Sequence, residues 1–200
     1  MRLAEVCTTR LGYTARARLE ASGTGVLAIQ LRDMAEDGLD IAGLSRVLIK
    51  ESIDRYLVQA GDVLFRSRGE RNSAVALDDR FAEPAVAVSP LMVLRPMRDI
   101  ISADYLAWAI NQPEAQRHFD LTARGTSIRM VSKASLDELN IDVPDSPTQR
   151  RIVAAHDLAA RERALTHLLA DTKQDLLNRI LAERAKSKRT QTTTPKERRT

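Results

Sequence analysis

From Gly25 the run GVLAIQLRDM alternates, with Val26, Ala28 and Gln30 on one side and Leu27, Ile29 and Leu31 on the other. That period of two predicts a strand with one wholly apolar face. A turn follows at Glu36-Asp37-Gly38, and SRVLIKE after it suits a short strand or a short helix, too brief for its period to decide. Ala60-Gly61-Asp62 marks a second turn, after which VLF opens another strand. The segment from Ala85 to Pro96 reads as two β-rich runs joined across Pro90, a proline that suits an edge or a bulge because it has no N–H for a central ladder.

The period then changes. Ser102 can cap a helix on which Tyr105, Leu106, Trp108, Ala109 and Ile110 make a broad apolar face, and Pro113 ends it or starts the next, which runs to Thr122. Beyond Gly125, SIRMVS predicts a short strand, SLDEL a short helix with the capping-box form Ser135-x-x-Glu138, and NIDVP a final strand. Ser146-Pro147-Thr148-Gln149 predicts a helix start: a serine cap, proline at the first helical position and Gln three residues after the cap.

No Gly or Pro interrupts Ile152 to Leu181, and Ile152, Leu158, Leu165, Leu168, Leu169, Leu176, Leu177, Ile180 and Leu181 recur at helical spacing. Leu158, Leu165 and Thr172 stand seven apart, as do Leu169 and Leu176, which approaches a heptad. Residues 145–182 hold no second helix to close a hairpin, so this stripe either lies on the body or pairs with another chain; its length favours pairing. The resulting organisation is a body over 1–144, a long helix over 145–182 and a basic, disordered tail over 183–200.

Composition sharpens this picture in two places. The 200 residues carry a net charge of +4, yet residues 183–200 hold seven Lys/Arg against two Glu, a net +5, which leaves 1–182 at −1. A basic sequence is therefore a property of the tail, and nucleic-acid affinity has to be sought in local clusters. The single Cys7 excludes an internal disulfide framework and a four-cysteine zinc site. His118, His156 and His167 have no partners at metal spacing, and no P-loop, GxGxxG, GxSxG or Asn-Pro-Pro-aromatic run occurs. The expectation is a cytoplasmic protein with no cofactor, no membrane span and no catalytic site.

What remains is cationic and loop-borne. If residues 63–68 form one strand, Leu64, Arg66 and Arg68 share a face, and the two guanidinium groups stand about 7 Å apart. Ser67 lies between them, Gly69 permits a positive φ or a close backbone approach, and Arg71 and Asn72 extend the polar edge. A second cluster combines Arg124, Thr126, Ser127 and Arg129 around Gly125, with Lys133 following. Seven aromatics, mostly in apolar patterns, leave little for base stacking, so duplex recognition by Arg, Lys, Asn and hydroxyl groups is the better nucleic-acid reading.

Four stretches in order, VLAIQLRDMAEDGLDI with Asp33 and Gly38, YLVQAGDVLFRSRG, ISADYLAWAINQPEAQRHF, and RGTSIRMVSKASLDELNIDVPDSPTQRRIV leading into the long helix, resemble a target-recognition domain of the specificity subunit of type I restriction-modification systems. The resemblance covers most of residues 10–182. It implies an α/β (α+β) domain with a twisted sheet and peripheral helices, then a long helix that acts as spacer and docking surface. It also implies a non-catalytic subunit that reads double-stranded DNA for an adenine methyltransferase subunit and, where the system has one, a restriction subunit. Members of that family carry two recognition domains and two such helices. One of each here implies a half-size subunit that pairs with itself or with another half through Ile152, Leu158, Leu165, Leu169, Leu176 and Ile180. The alternative is a non-catalytic assembly protein that uses the helix without reading DNA.

Overall fold

The computed structural model describes residues 1–190 except 17–18, 36–37, 70, 82 and 123–129, with side chains to residue 186 apart from that of Ala35. Ten strands form in chain order: β1 (Cys7–Leu11), β2 (Ala21–Ile29), β3 (Met34–Ala35), β4 (Gly38–Leu39), β5 (Ser45–Val47), β6 (Leu57–Val58), β7 (Val63–Arg66), β8 (Ser73–Ala76), β9 (Ala85–Ala87) and β10 (Leu91–Pro96). They are followed by helices α1 (Ala103–Ile110), α2 (Pro113–Thr122), α3 (Lys133–Asp137) and α4 (Ser146–Thr190). The class is α+β, but the strands make two four-stranded sheets and a two-stranded ribbon instead of one sheet.

The first sheet runs β1-β10-β7-β8, antiparallel throughout, and the second runs β5-β2-β9-β6, with β2 and β9 parallel. Alternation along β7 and β10 explains why both sheets are needed. Val63, Phe65, Met92 and Leu94 enter a core completed by Ile101, Leu106 and Ile110 of the α1 region, Phe119 and Leu136. Leu64, Leu91 and Val93 point the other way, onto Ile29, Val58, Ala85 and Ala87. A strand buried on both faces reads as a continuous apolar run, as VLF and LMVL do. β2 behaves alike: Leu27 and Ile29 belong to that inter-sheet core, while Val26 and Ala28 pack with Tyr13, Val47 and Val86 on the outer face. Its predicted single apolar face is in fact two.

Several local expectations are corrected. The two runs around Pro90 belong to different sheets, and both occupy interior positions. Pro90 itself lies in the turn between them, where a missing N–H removes no ladder bond. SRVLIKE resolves as β5, paired with β2. NIDVP makes one bridge, Asn140 to Arg2, and Ile141 exchanges two 2.9 Å hydrogen bonds with Met1. The third helix starts one turn before the expected box. Leu136 and Leu139 are 0% and 2% exposed, their burial sets its phase, and the Ser132 hydroxyl accepts from Ser135 N at 3.1 Å. Ser102 caps α1 as expected, accepting from Tyr105 N at 3.3 Å. At the end of α1 the Asn111 amide donates to Ala74 O (2.8 Å) and accepts from Ala74 N (2.9 Å), occupying the free edge of β8.

α4 starts at Ser146 with Asp145 as its cap: Asp145 Oδ1 accepts from Thr148 N at 2.9 Å, and hydrogen bonding from Thr148 holds this carboxyl below the ordinary aspartate range. Gln149 does not turn back to the cap. It is 2% exposed, its Oε1 accepts from Ser102 N (3.0 Å), and its Nε2 donates to Ile100 O and Pro144 O (both 2.9 Å), three groups that would otherwise be buried unsatisfied.

The chain divides into two compact units, Met1–Val153 and Ala154–Thr200. Ile152 and Val153 pack against the helical core of the first. In the second, Leu158, Leu165, Leu168, Leu169, Leu176, Leu177, Ile180 and Leu181 are 43–69% exposed. The helix runs to Thr190, so the first part of the expected disordered tail is helical, and residues 191–200 lie outside the described residues. Cys7 is buried, its thiol pushed up to about 12 by loss of solvent, against a smaller opposing pull from a Thr9 hydrogen bond.

Because Gln149 satisfies three buried backbone groups, Gln149→Ala is expected to lower stability by about 2–4 kcal/mol. Urea unfolding followed by near-ultraviolet dichroism should show a lower midpoint at an unchanged slope.

Candidate nucleic-acid interface

The β7 ladder ends at Arg66, two residues short of the predicted strand. Ser67 is the cause. It is 2% exposed, its hydroxyl donates to Pro90 O at 2.5 Å and its carbonyl accepts from Val131 N at 2.9 Å, which draws the chain out of the sheet. Ser67, grouped with the cations by sequence, is thus a buried anchor, and Arg66 and Arg68 do not stand as neighbours on one strand face. Arg66 instead folds over the turn, its Nε donating to Arg68 O at 3.3 Å.

Gly69 makes that fold possible in two ways. Its φ is +134°, a region that only glycine enters readily, and a Cβ there would lie 3.2 Å from both Nε and Nη2 of Arg66. Asn72 closes the same hairpin, with its Nδ2 donating to Arg66 O at 2.9 Å where Arg66 pairs with Ser73 across β7 and β8. Arg68 and Arg71 are exposed.

The second cluster meets the first here. Arg68 and Met130 form an isolated antiparallel bridge, immediately beside the Val131–Ser67 hydrogen bond. Arg124, Thr126, Ser127 and Arg129 fall outside the described residues, but the elements on either side of that segment are tied together. The Thr122 hydroxyl donates to His118 O (2.8 Å) and pairs with the Ser135 hydroxyl, and His118 Nε2 lies 2.8 Å from Ser135 O. Lys133 opens α3 and pairs with Asp137 one turn on.

Electrostatics distinguish this rim from the other cations of the body. Across the sheet, at the far end of β7 and β10, Arg95 holds the buried Asp62 in two 2.6 Å hydrogen bonds, which raise the arginine above its usual range. Arg80 pairs with Asp78, and Arg46 with Glu83. Among the described residues Arg66, Arg68 and Arg71 pair with no carboxylate, so the turn keeps three uncompensated positive charges. Such a cluster suits anionic oxygens or guanine edges better than metal or acid–base chemistry. Among the described residues no group of three His, Cys, Asp or Glu could hold a metal, and no helix is long and apolar enough to cross a membrane.

Sequence reasoning passed over Met130, counting it only as part of a strand. The available signal was its place beside Arg129 in a segment with too few apolar residues to bury it.

A family model described as type I restriction modification DNA specificity domain matches residues 1–166. No curated protein matches the sequence. Among solved structures, the chain is similar to one described under complex assembly and conformational transition of the type I R-M system, at 23% identity and a TM-score of 0.66, over 88% of this chain and 42% of that one. It is similar to the HsdS subunit from Thermoanaerobacter tengcongensis at 23% identity and a TM-score of 0.57, over 82% of this chain and 37% of that one. The type I restriction-modification S subunit from M. genitalium gives 12% identity and a TM-score of 0.55, over 79% and 37%. The likeness to these structures is one of fold, and the chain spans less than half the length of each.

The turn geometry makes Gly69 critical. Gly69→Ala is expected to cost about 1–3 kcal/mol through its backbone region. Gly23→Ala, where an added Cβ meets nothing within 4 Å, should change the thermal midpoint far less, a contrast readable by calorimetry.

Proposed function

This chain belongs to the type I restriction modification DNA specificity family, and on that footing we propose that it reads a sequence in double-stranded DNA for a partner adenine methyltransferase subunit and, where the system includes one, a restriction subunit. The observation that carries the reading is the turn after β7, where Arg66, Arg68 and Arg71 have no carboxylate partner among the described residues. Phosphate contacts from such a rim set register and salt dependence, while bidentate contacts to base edges discriminate by about 1–3 kcal/mol each.

Pairing between two copies through α4 completes the proposal. Eight large apolar side chains at 43–69% exposure support it, since a monomer seldom leaves a contiguous stripe of that kind uncovered. Charge favours one direction. Leu158, Leu165, Thr172 and Arg179 form one seven-residue series, and Glu162, Leu169, Leu176 and Glu183 the other. A parallel, in-register pair sets Glu162 against Glu162 and Arg179 against Arg179 in the seam. An antiparallel pair with its two-fold axis near His167 and Leu168 sets Leu158 against Leu176, Leu165 against Leu169, and Arg161 against Asp175. Two-fold symmetry of that pair predicts an inverted-repeat target with an unspecified gap.

Replacing Arg66 and Arg68 together by alanine should weaken duplex binding and flatten the plot of log affinity against log salt by up to about 2, as two phosphate contacts are lost. Self-association, measured by sedimentation, should persist. Adenine methylation mapped in cells that carry the chain with its methyltransferase tests the whole reading: a pattern unchanged on deletion of the chain refutes it, and self-association with no duplex binding by the unaltered chain points to an assembly protein.

Arg161→Asp is expected to weaken self-association about tenfold, and adding Asp175→Arg to restore it, because the swap rebuilds the pair in both halves of an antiparallel dimer. A swap that restores nothing eliminates this register.

A further inference from the structure

We propose that Met130 is a base-reading residue which, beside Arg68, contacts the C5-methyl of a thymine adjacent to the base pair that Arg68 reads. This inference rests on the DNA-reading function proposed above and extends it to one side chain and one base.

Met130 is 50% exposed and belongs to none of the three hydrophobic clusters, whereas its neighbour Val131 is fully buried in the helical core. The hydrogen bond from Val131 N to Ser67 O fixes this alternation, so Met130 stands outward because Val131 stands inward. Its partner across the bridge is Arg68. Residues directly opposed in an antiparallel bridge share a face, with Cβ atoms about 4.5–5.5 Å apart. A long thioether and a guanidinium group therefore leave the surface side by side, in a rim that also carries Arg66 and Arg71.

The pairing is chemically asymmetric, and so is the major groove. Arginine matches the O6 and N7 acceptors of guanine, and the thymine methyl is the one apolar group that the groove edge of a base pair presents. Stacked bases follow at about 3.4 Å along one strand, so two flexible side chains that start about 5 Å apart reach adjacent base pairs. The unbranched methionine adapts to a methyl without a rigid pocket. The positive charge around Met130 favours a polyanion over an apolar protein patch as the occupant, because an exposed apolar residue ringed by uncompensated cations gains most from a ligand that neutralises them.

The experiment uses the full chain and a random-sequence duplex library made with thymidine, with folding of each variant checked by circular dichroism. The unaltered chain should enrich a consensus that contains a guanine next to a thymine. Arg68→Ala should erase the guanine preference, and Met130→Ala should reduce the thymine preference about fourfold, the worth of one methyl withdrawn from water, while leaving the other positions intact. On the enriched duplex, deoxyuridine at that thymine should weaken binding by the unaltered chain about fourfold and leave Met130→Ala indifferent. Should Met130→Ala fail to fold, the deoxyuridine measurement on the unaltered chain decides alone. Equal binding to both duplexes, an unchanged consensus from Met130→Ala, or a uniform loss at every position overturns the assignment of Met130 with DNA reading intact. Failure of the unaltered chain to enrich any consensus overturns both proposals.

Discussion

The pairing of β7 with β10 is the constraint on which the rest of the body depends. Two strands whose side chains alternate into separate cores have no solvent face, so every polar group they carry must leave at an end. At one end the solution is a buried carboxylate clasped by a guanidinium, Asp62 with Arg95, because a lone charge there would be costly. At the other the chain breaks away at Ser67, and the arginines that follow remain uncompensated among the described residues. One hydroxyl bonded to Pro90 O separates a buried ladder from an exposed cationic turn.

The start of α4 shows a comparable economy. A single amide, that of Gln149, meets one N–H and two carbonyls, and with Asp145 as cap it holds the first helical turns against the core. Beyond Val153 the physical requirement reverses. Large apolar side chains on an isolated helix gain nothing from solvent, and a helix in water draws most of its stability from packing an apolar face. The same polypeptide therefore contains a body whose cores are closed and a helix whose stripe is open.

Much of this was legible in the sequence, and the rest was not for identifiable reasons. The long helix declared itself because its period persists for many turns without Gly or Pro, and Ser102 was recognisable as a cap because an apolar helical face follows it. The cap of α4 was misplaced by one residue because Asp145 and Ser146 are both good caps, and only the hydrogen bond to Thr148 N separates them. The sheet positions of β9 and β10 were not readable: short runs buried on both faces carry no mark of which sheet they join. The cationic clusters were visible as composition, whereas their meeting depends on Ser67, Pro90 and Val131, residues 23 and 64 apart from the serine along the chain. Contacts across such separations leave no periodic trace.

The amide of Asn111 has a consequence for how copies of this protein can associate. By offering Ala74 one donor and one acceptor, it stands in for the strand that would otherwise come next. An exposed ladder edge recruits any extended chain, with little regard for sequence. With this border sealed by a side chain, open-ended sheet growth is blocked there, and encounters between molecules are left to surfaces whose chemistry can discriminate.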